Sequence, residues 1–140
     1  MTGPSESRTG PLTPSMGWLQ AGIRFALELV MLGALGYWGW SLSDNTLIQV
    51  GAAIGIPAIA AALWGIFRAP GDTSAGKPAI VPVPGPIRLL LEFALFGLAA
   101  YGLWTAVSRA AAETLLTITV LHYVMTWQRV RWLLTGRGEP

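Results

Sequence analysis

One apolar stretch occurs twice in this chain, 64 residues apart, and it constrains the fold more than any other feature. The first copy, residues 23–40, reads IRFALELVMLGALGYWGW, and the second, residues 87–104, reads IRLLLEFALFGLAAYGLW. Matching aliphatic residues are common in apolar runs, so the polar and aromatic identities carry most weight. These identities are Arg24/Arg88, Glu28/Glu92, Tyr37/Tyr101 and Trp40/Trp104. The repeat predicts that one helical unit was duplicated.

The composition indicates a protein that folds in lipid. Hydrophobic residues make up 53% of the chain and charged residues only 11%, whereas soluble domains have about 25% charged residues. The basic residues stand singly at the ends of apolar runs, which is typical of a topological signal and not of a nucleic-acid partner. Because the chain has no cysteine, disulfide and thiolate chemistry are excluded.

Four apolar runs are predicted to span the bilayer, at about residues 23–42, 46–67, 87–107 and 114–134. Each has roughly 20 residues, the number that crosses ~30 Å of hydrocarbon. We therefore expect an all-α integral membrane four-helix bundle, built from two tandem hairpins at residues 18–67 and 87–134. Residues 68–86 contain five prolines and three glycines, a composition that predicts a linker between the hairpins.

The distribution of Lys and Arg predicts the orientation. Eight basic residues fall on the side of the two termini and the linker, and Arg109 alone falls on the other side; the eight are Arg8, Arg24, Arg68, Lys77, Arg88, Arg129, Arg131 and Arg137. This asymmetry predicts a disordered cytoplasmic tail at 1–17, a cytoplasmic linker and a cytoplasmic tail at 135–140. The hairpins would then be parallel repeats about an axis along the membrane normal.

The repeated Arg and Glu residues are the main candidate site. Arg24 and Glu28 are four residues apart, as are Arg88 and Glu92, so each pair lies on one helix face. Both carboxylates lie roughly 7 Å inside their spans and should face the interior, because exposure to lipid is costly. If the repeat axis joins the first and third helices, crossed pairs Arg24/Glu92 and Arg88/Glu28 form a neutral cluster. That cluster could be a structural link, a proton or cation site, or an anion site.

His122, the single histidine, is predicted about 13 Å from the cytoplasmic end of the fourth span. It could bond a neighbouring Thr or Tyr as a structural residue, or relay protons with the glutamates. Glu28, Glu92 and His122 would resemble part of a metal site if they met, but we expect no metal and no other cofactor. No phosphate loop, nucleophile elbow or dinucleotide fingerprint is present, so a non-enzyme is expected.

Three runs of the chain resemble the YrdB-type family of small bacterial membrane proteins, a domain of unknown function. They are RFALELVMLGALGYWGW from Arg24, LWGIFRAP from Leu63 and PGPIRLLLE from Pro84. The resemblance covers about Arg24 to Trp104 and implies a four-helix membrane protein. It carries over no catalytic residue, because the family has no assigned activity.

Two functions follow as hypotheses. The first is a non-enzymatic protein of the bacterial plasma (inner) membrane that acts by association, as a homo-oligomer or as an accessory subunit of a larger complex. The alternative is a small transporter or channel, coupled to protons or cations, that uses Glu28 and Glu92. Replacing the two glutamates by glutamine would distinguish them, since only the transporter would lose transport while keeping its fold.

Overall fold

The computed structural model describes residues 18–69 and 80–135, which form five helices and two very short strands. The helices are α1 (Trp18–Ser41), α2 (Thr46–Ile66), α3 (Gly85–Ala106), α4 (Arg109–Met125) and α5 (Trp127–Thr135), and the strands are β1 (Phe67–Arg68) and β2 (Val81–Pro82). The mostly helical fold agrees with the sequence. The tail predicted at 1–17, most of the linker predicted at 68–86 and nearly all of the tail predicted at 135–140 lie outside the described residues.

Three helices, α1, α2 and α3, are long and apolar enough to cross a membrane. The predicted fourth span is instead divided, since α4 has 17 residues and ends at Met125. Thr126 leaves the helical conformation with φ −103° and ψ 31°, and its hydroxyl donates to the carbonyl of His122 at 2.8 Å. A threonine that bonds back to the preceding turn tends to bend a helix. The chain resumes as α5 in the next residue.

The helices pack in the order α2, α1, α3 and α4, so α1 and α3 form a central pair with one flanking helix on each side. The core lies mainly at the contact between α1 and α3. Met31 and Leu35 of α1 and Ala99 of α3 are at most 1% exposed there. α5 packs against α3 and extends the α4 side of the row.

Two glycines allow close backbone contacts within this row. A Cβ atom on Gly39 would lie 2.5 Å from the carbonyl oxygen of Ala52, so α1 and α2 touch through their backbones there. A Cβ atom on Gly85 would overlap the carbonyl of Leu133, which places α5 directly beside the start of α3. Gly51 of α2, in contrast, faces open space.

The two strands join the end of α2 to the segment before α3. They pair in parallel, with Phe67 opposite Val81 and Arg68 opposite Pro82, and the amide of Val83 donates to the carbonyl of Arg68 at 2.9 Å. This pairing brings the C-terminus of α2 close to the N-terminus of α3. The end of α2 and the start of α3 therefore both lie beside the charged residues of the core.

Candidate functional site: a buried arginine and glutamate cluster

Glu92 of α3 is the centre of a buried charged cluster, and its side chain is fully buried. Its Oε1 accepts hydrogen bonds from Arg24 Nη2 at 3.3 Å, Arg88 Nε at 3.0 Å and Arg129 Nη2 at 2.8 Å. Its Oε2 accepts from the Tyr123 hydroxyl at 2.6 Å and from Arg129 Nη1 at 3.1 Å. One carboxylate therefore binds side chains from α1, α3, α4 and α5.

Helix geometry explains how these side chains meet. Arg88 and Glu92 lie one turn apart on α3, and Arg24 reaches them across the contact of α1 with α3. Tyr123 packs its ring against Phe93, with centroids 5.0 Å apart, near the end of α4. Arg129, just beyond the break at Thr126, binds the carboxylate through both terminal nitrogens, the strong bidentate arrangement of an arginine with a carboxylate.

Arg88 extends the cluster to the end of α2. Its Nη1 donates to the carbonyl of Trp64 at 2.6 Å and also to the carbonyl of Phe67. Carbonyls in the last turn of a helix lack intrahelical partners, so the guanidinium satisfies groups that would otherwise be costly to bury. The Trp64 ring also packs against two guanidinium groups, with its centroid 4.6 Å from Arg88 Cζ and 5.6 Å from Arg24 Cζ. Contacts of this kind are attractive.

Glu28, the repeat partner of Glu92, has a different environment. Its side chain is 24% exposed, and its carboxylate accepts from Arg24 Nε at 3.2 Å. Of the two predicted crossed pairs, Arg24 with Glu92 forms, whereas among residues 18–69 and 80–135 no salt bridge joins Arg88 to Glu28. With Arg129, the cluster has three guanidinium groups and two carboxylates, a formal charge of +1. The predicted set of four residues is neutral.

His122 lies beside the cluster and takes no part in the hydrogen bonds that hold Glu92. It is 7% exposed, and its ring meets that of Tyr123 edge to face, with centroids 5.9 Å apart. Thr119 and Thr126, which could have bonded the imidazole, donate instead to carbonyls of their own helix. Within the part of the chain that the structure describes, no three His, Cys, Asp or Glu residues form a group that could hold a metal ion.

Two members of the cluster, Tyr123 and Arg129, are not among the site residues predicted from the sequence. From the sequence, Arg129 contributes only to the predicted orientation, and Tyr123 is only a neighbouring residue that could bond His122. A signal was available for Arg129, because it falls inside the predicted span at 114–134. An arginine within a span needs a buried acidic partner or a carbonyl.

The arrangement determines what Glu92 can do chemically. An ionised carboxylate has about four lone-pair sites, and here it accepts five hydrogen bonds. A proton on Glu92 would replace an acceptor by a donor and would leave the guanidinium groups of Arg24, Arg88 and Arg129, of which the last two are buried, without their shared counter-charge. In this structure the carboxylate is fully engaged by donors from α1, α3, α4 and α5.

Comparisons with known proteins agree with the resemblance seen in the residues. The profile of a family described as "Protein of unknown function (DUF2568)" matches residues 22–120. A protein of Bacillus subtilis (strain 168) named "Uncharacterized protein YrdB" is 29% identical over 112 residues, which cover 80% of this chain and 90% of that protein. No solved structure matches the chain at a significant level. The chain therefore belongs to the DUF2568 family of proteins of unknown function.

Proposed function

We propose that this is a non-enzymatic, multi-pass protein of a bacterial inner membrane that acts by association, as a homo-oligomer or as an accessory subunit of a larger complex. The observation that carries the proposal is the exposure of helix α2. This helix is long and apolar enough to cross a membrane, and among its residues only Ala60 is buried. Apart from the side that packs against α1, the surface of α2 is thus available to lipid or to another protein.

The outward face of α2 has the residues that membrane helices use for contact. Gly51, Gly55, Ala58 and Ala62 recur at spacings of three and four residues and so lie on one side of the helix. Cβ atoms on Gly51 and Gly55 would meet nothing within 4 Å. Ala60 lies on the opposite side of the helix and packs in the core. Small residues let helix backbones approach closely in lipid, so this face is suited to a partner helix.

We further propose four crossings, with α4 and α5 together as the fourth. These two helices run antiparallel to α3 along its length, from the amide of Ser108 that donates to the carbonyl of Leu103 to the contact of Leu133 with Gly85. Because α3 is itself long enough to span, a partner that follows it from end to end would span as well. The N-terminus of α1 and the C-terminus of α5 would then share the arginine-rich side, which the positive-inside rule assigns to the cytoplasm.

The duplicated hairpin remains our interpretation of this row of helices. The repeated residues Arg24/Arg88 and Glu28/Glu92 lie at the contact of the central helices α1 and α3, as a twofold relation between hairpins requires. The two halves have diverged, since Glu92 also binds Tyr123 and Arg129. The cluster serves, in this proposal, as the structural link that holds the hairpins in register.

Cross-linking between single cysteines tests the association directly, because the chain has no native cysteine. We would express Ala58→Cys in a bacterial membrane and oxidise it there. Leu121→Cys is a matched control, since Leu121 is exposed on α4 and each position lies 12 residues from the start of its helix. A homo-oligomer through the small-residue face predicts a disulfide-linked dimer from Ala58→Cys and little from Leu121→Cys.

The remaining outcomes separate the two forms of association. If neither variant cross-links and the purified protein is a monomer, the homo-oligomer is wrong and only an accessory role is left. That role predicts that an Ala58→Leu variant loses a specific co-purifying membrane protein while a Leu121→Ala variant retains it. If no partner is found in either experiment, function by association is refuted.

The alternative, a proton- or cation-coupled transporter or channel, is favoured by one observation, the partial exposure of Glu28. Its carboxylate has Arg24 as its ion-pair partner among the described residues and is accessible from outside. Glu28→Gln should then abolish pH-dependent transport by the protein in vesicles without unfolding it. A transport signal that is absent from the unmodified protein, or unchanged in Glu28→Gln, removes this alternative.

A further inference from the structure

An apolar groove of about 350 Å³ lies between α3, α4 and the beginning of α5. Phe93 and Gly97 of α3 form one wall, and Val120 and Val124 of α4 form the other. Three of these side chains are roughly half exposed or more, so the groove opens toward the outside of the protein. Its volume lies within the range of small-molecule pockets, about 300–1,000 Å³.

Gly97 keeps this groove open. A Cβ atom there would meet nothing within 4 Å, so the missing side chain creates space that no neighbouring group fills. Gly33, the equivalent glycine of the first repeat, also faces open space, but it does not line the groove. The two glycines therefore differ mainly in that Gly97 lines the groove and Gly33 does not.

The groove leads toward the arginine-rich end of the molecule. Trp127 and Val130 of α5 line its last part, and Arg131 lies one turn after Trp127 on the same face of the helix. The side chain of Arg131 is exposed. A tryptophan followed by an arginine at one turn is the arrangement expected where a helix leaves the hydrocarbon.

Charge at this end of the molecule is strongly positive. Among residues 18–69 and 80–135, this end holds five arginines and two glutamates, a formal charge of +3. They are Arg24, Arg68, Arg88, Arg129 and Arg131, with Glu28 and Glu92. Excess positive charge beside membrane helices favours anionic lipid headgroups. Of these arginines, Arg131 is exposed. An apolar groove that ends beside an exposed arginine within this positive charge is complementary to a molecule with an apolar chain and an anionic head.

We propose that the groove binds one acyl chain of an anionic phospholipid, with the phosphate beside Arg131 and the Trp127 indole at the level of the headgroup. The acyl chain lies between Gly97 and Val120, where the walls are apolar. This binding site goes beyond the proposed association and depends only on the protein's being in a bilayer. The lipid would be a specific ligand and not one of the exchangeable lipids around the protein.

Native mass spectrometry of the full chain in detergent tests this site with two probes, phosphatidylglycerol and phosphatidylcholine of identical acyl chains. One favourable basic residue contributes about 1 kcal/mol near a membrane surface, so we expect phosphatidylglycerol to bind at least about fivefold more tightly. Arg131→Gln should remove most of that preference. Arg109→Gln, which removes an exposed arginine at the opposite end, should leave it unchanged.

A second pair of variants tests the groove. Gly97→Leu should lower phosphatidylglycerol binding about tenfold or more, because the leucine occupies the place of the acyl chain, whereas Gly33→Leu should not. Val120→Trp fills the groove from its other wall and replaces Gly97→Leu if that variant does not fold. Equal binding of the two lipids overturns the proposal, as does an equal effect of Gly97→Leu and Gly33→Leu. A disulfide between two copies bearing Val120→Cys would show that a second chain occupies the groove instead.

Discussion

Replacing Glu92 by glutamine tests whether the buried cluster is the main link between the helices. Glutamine has nearly the shape of glutamate, so packing is preserved while the charge is lost. The guanidinium groups of Arg24, Arg88 and Arg129 would then lose the carboxylate that all three bind. One of the two acceptor oxygens would become an amide donor that faces other donors.

The size of the effect follows from burial. Glu92 has no exposed surface, and the side chains of Arg88 and Arg129 are 2% and 4% exposed. Removing one partner of a buried ion pair costs about 3–5 kcal/mol, because the remaining charge is left uncompensated. Total stabilities of proteins are about 5–15 kcal/mol, so Glu92→Gln should lose a large fraction of the free energy of unfolding.

Glu28→Gln is the matched control, since it is the same substitution at the repeat-equivalent position. Its carboxylate is partly exposed and has one partner four residues away, a kind of pair that contributes about 0.3–0.5 kcal/mol. We would measure the free energy of unfolding by titrating the purified protein from mild detergent into dodecyl sulfate and following helix content. Glu92→Gln should be destabilised several times more than Glu28→Gln.

The double variant Glu92→Gln, Arg129→Gln separates lost attraction from uncompensated charge. If the bidentate pair is coupled, the double variant should lose about 0.5–3 kcal/mol less than the sum of the two single variants. The reasoning is refuted if Glu92→Gln loses less than about 1 kcal/mol, or no more than Glu28→Gln. Additive losses in the double variant would show that Arg129 and Glu92 act independently.

Three further substitutions test other parts of the structure by the same titration. Tyr123→Phe removes the hydroxyl that donates to the buried carboxylate and should cost about 1.5–3 kcal/mol. A loss below about 0.5 kcal/mol, the change usual for a surface substitution, would contradict that bond. Gly39→Leu should separate α1 from α2 and cost at least about 1–3 kcal/mol, whereas Gly33→Leu, in open space on the same helix, should be nearly neutral, and equal losses would disprove the contact. Asn45→Ala removes the cap of α2 and should cost about 1 kcal/mol; no change would show that the cap is dispensable.

Much of the secondary structure could be predicted because it depends on local composition. An apolar run of about 20 residues has few alternatives to a membrane helix, and three such helices occur at the predicted places. The break at Thr126 could not be read from the pattern, because threonine is tolerated in helices and bends them only in some contexts. The Gly39 contact was equally hidden, since the glycines of α1 and α2 look alike in the sequence, whereas in the structure Gly39 lies against Ala52 and Gly33 and Gly51 face open space.

By itself, the sequence determined that two similar Arg and Glu pairs would lie one turn apart on two apolar helices, because spacing along a helix is a local property. Only the tertiary structure decided that these pairs are unequal. Glu92 is fully buried and accepts hydrogen bonds from three arginines and a tyrosine, whereas Glu28 remains partly exposed with Arg24. The physical reason is that burial and charge compensation depend on side chains from α4 and α5, which meet α3 only after the helices pack.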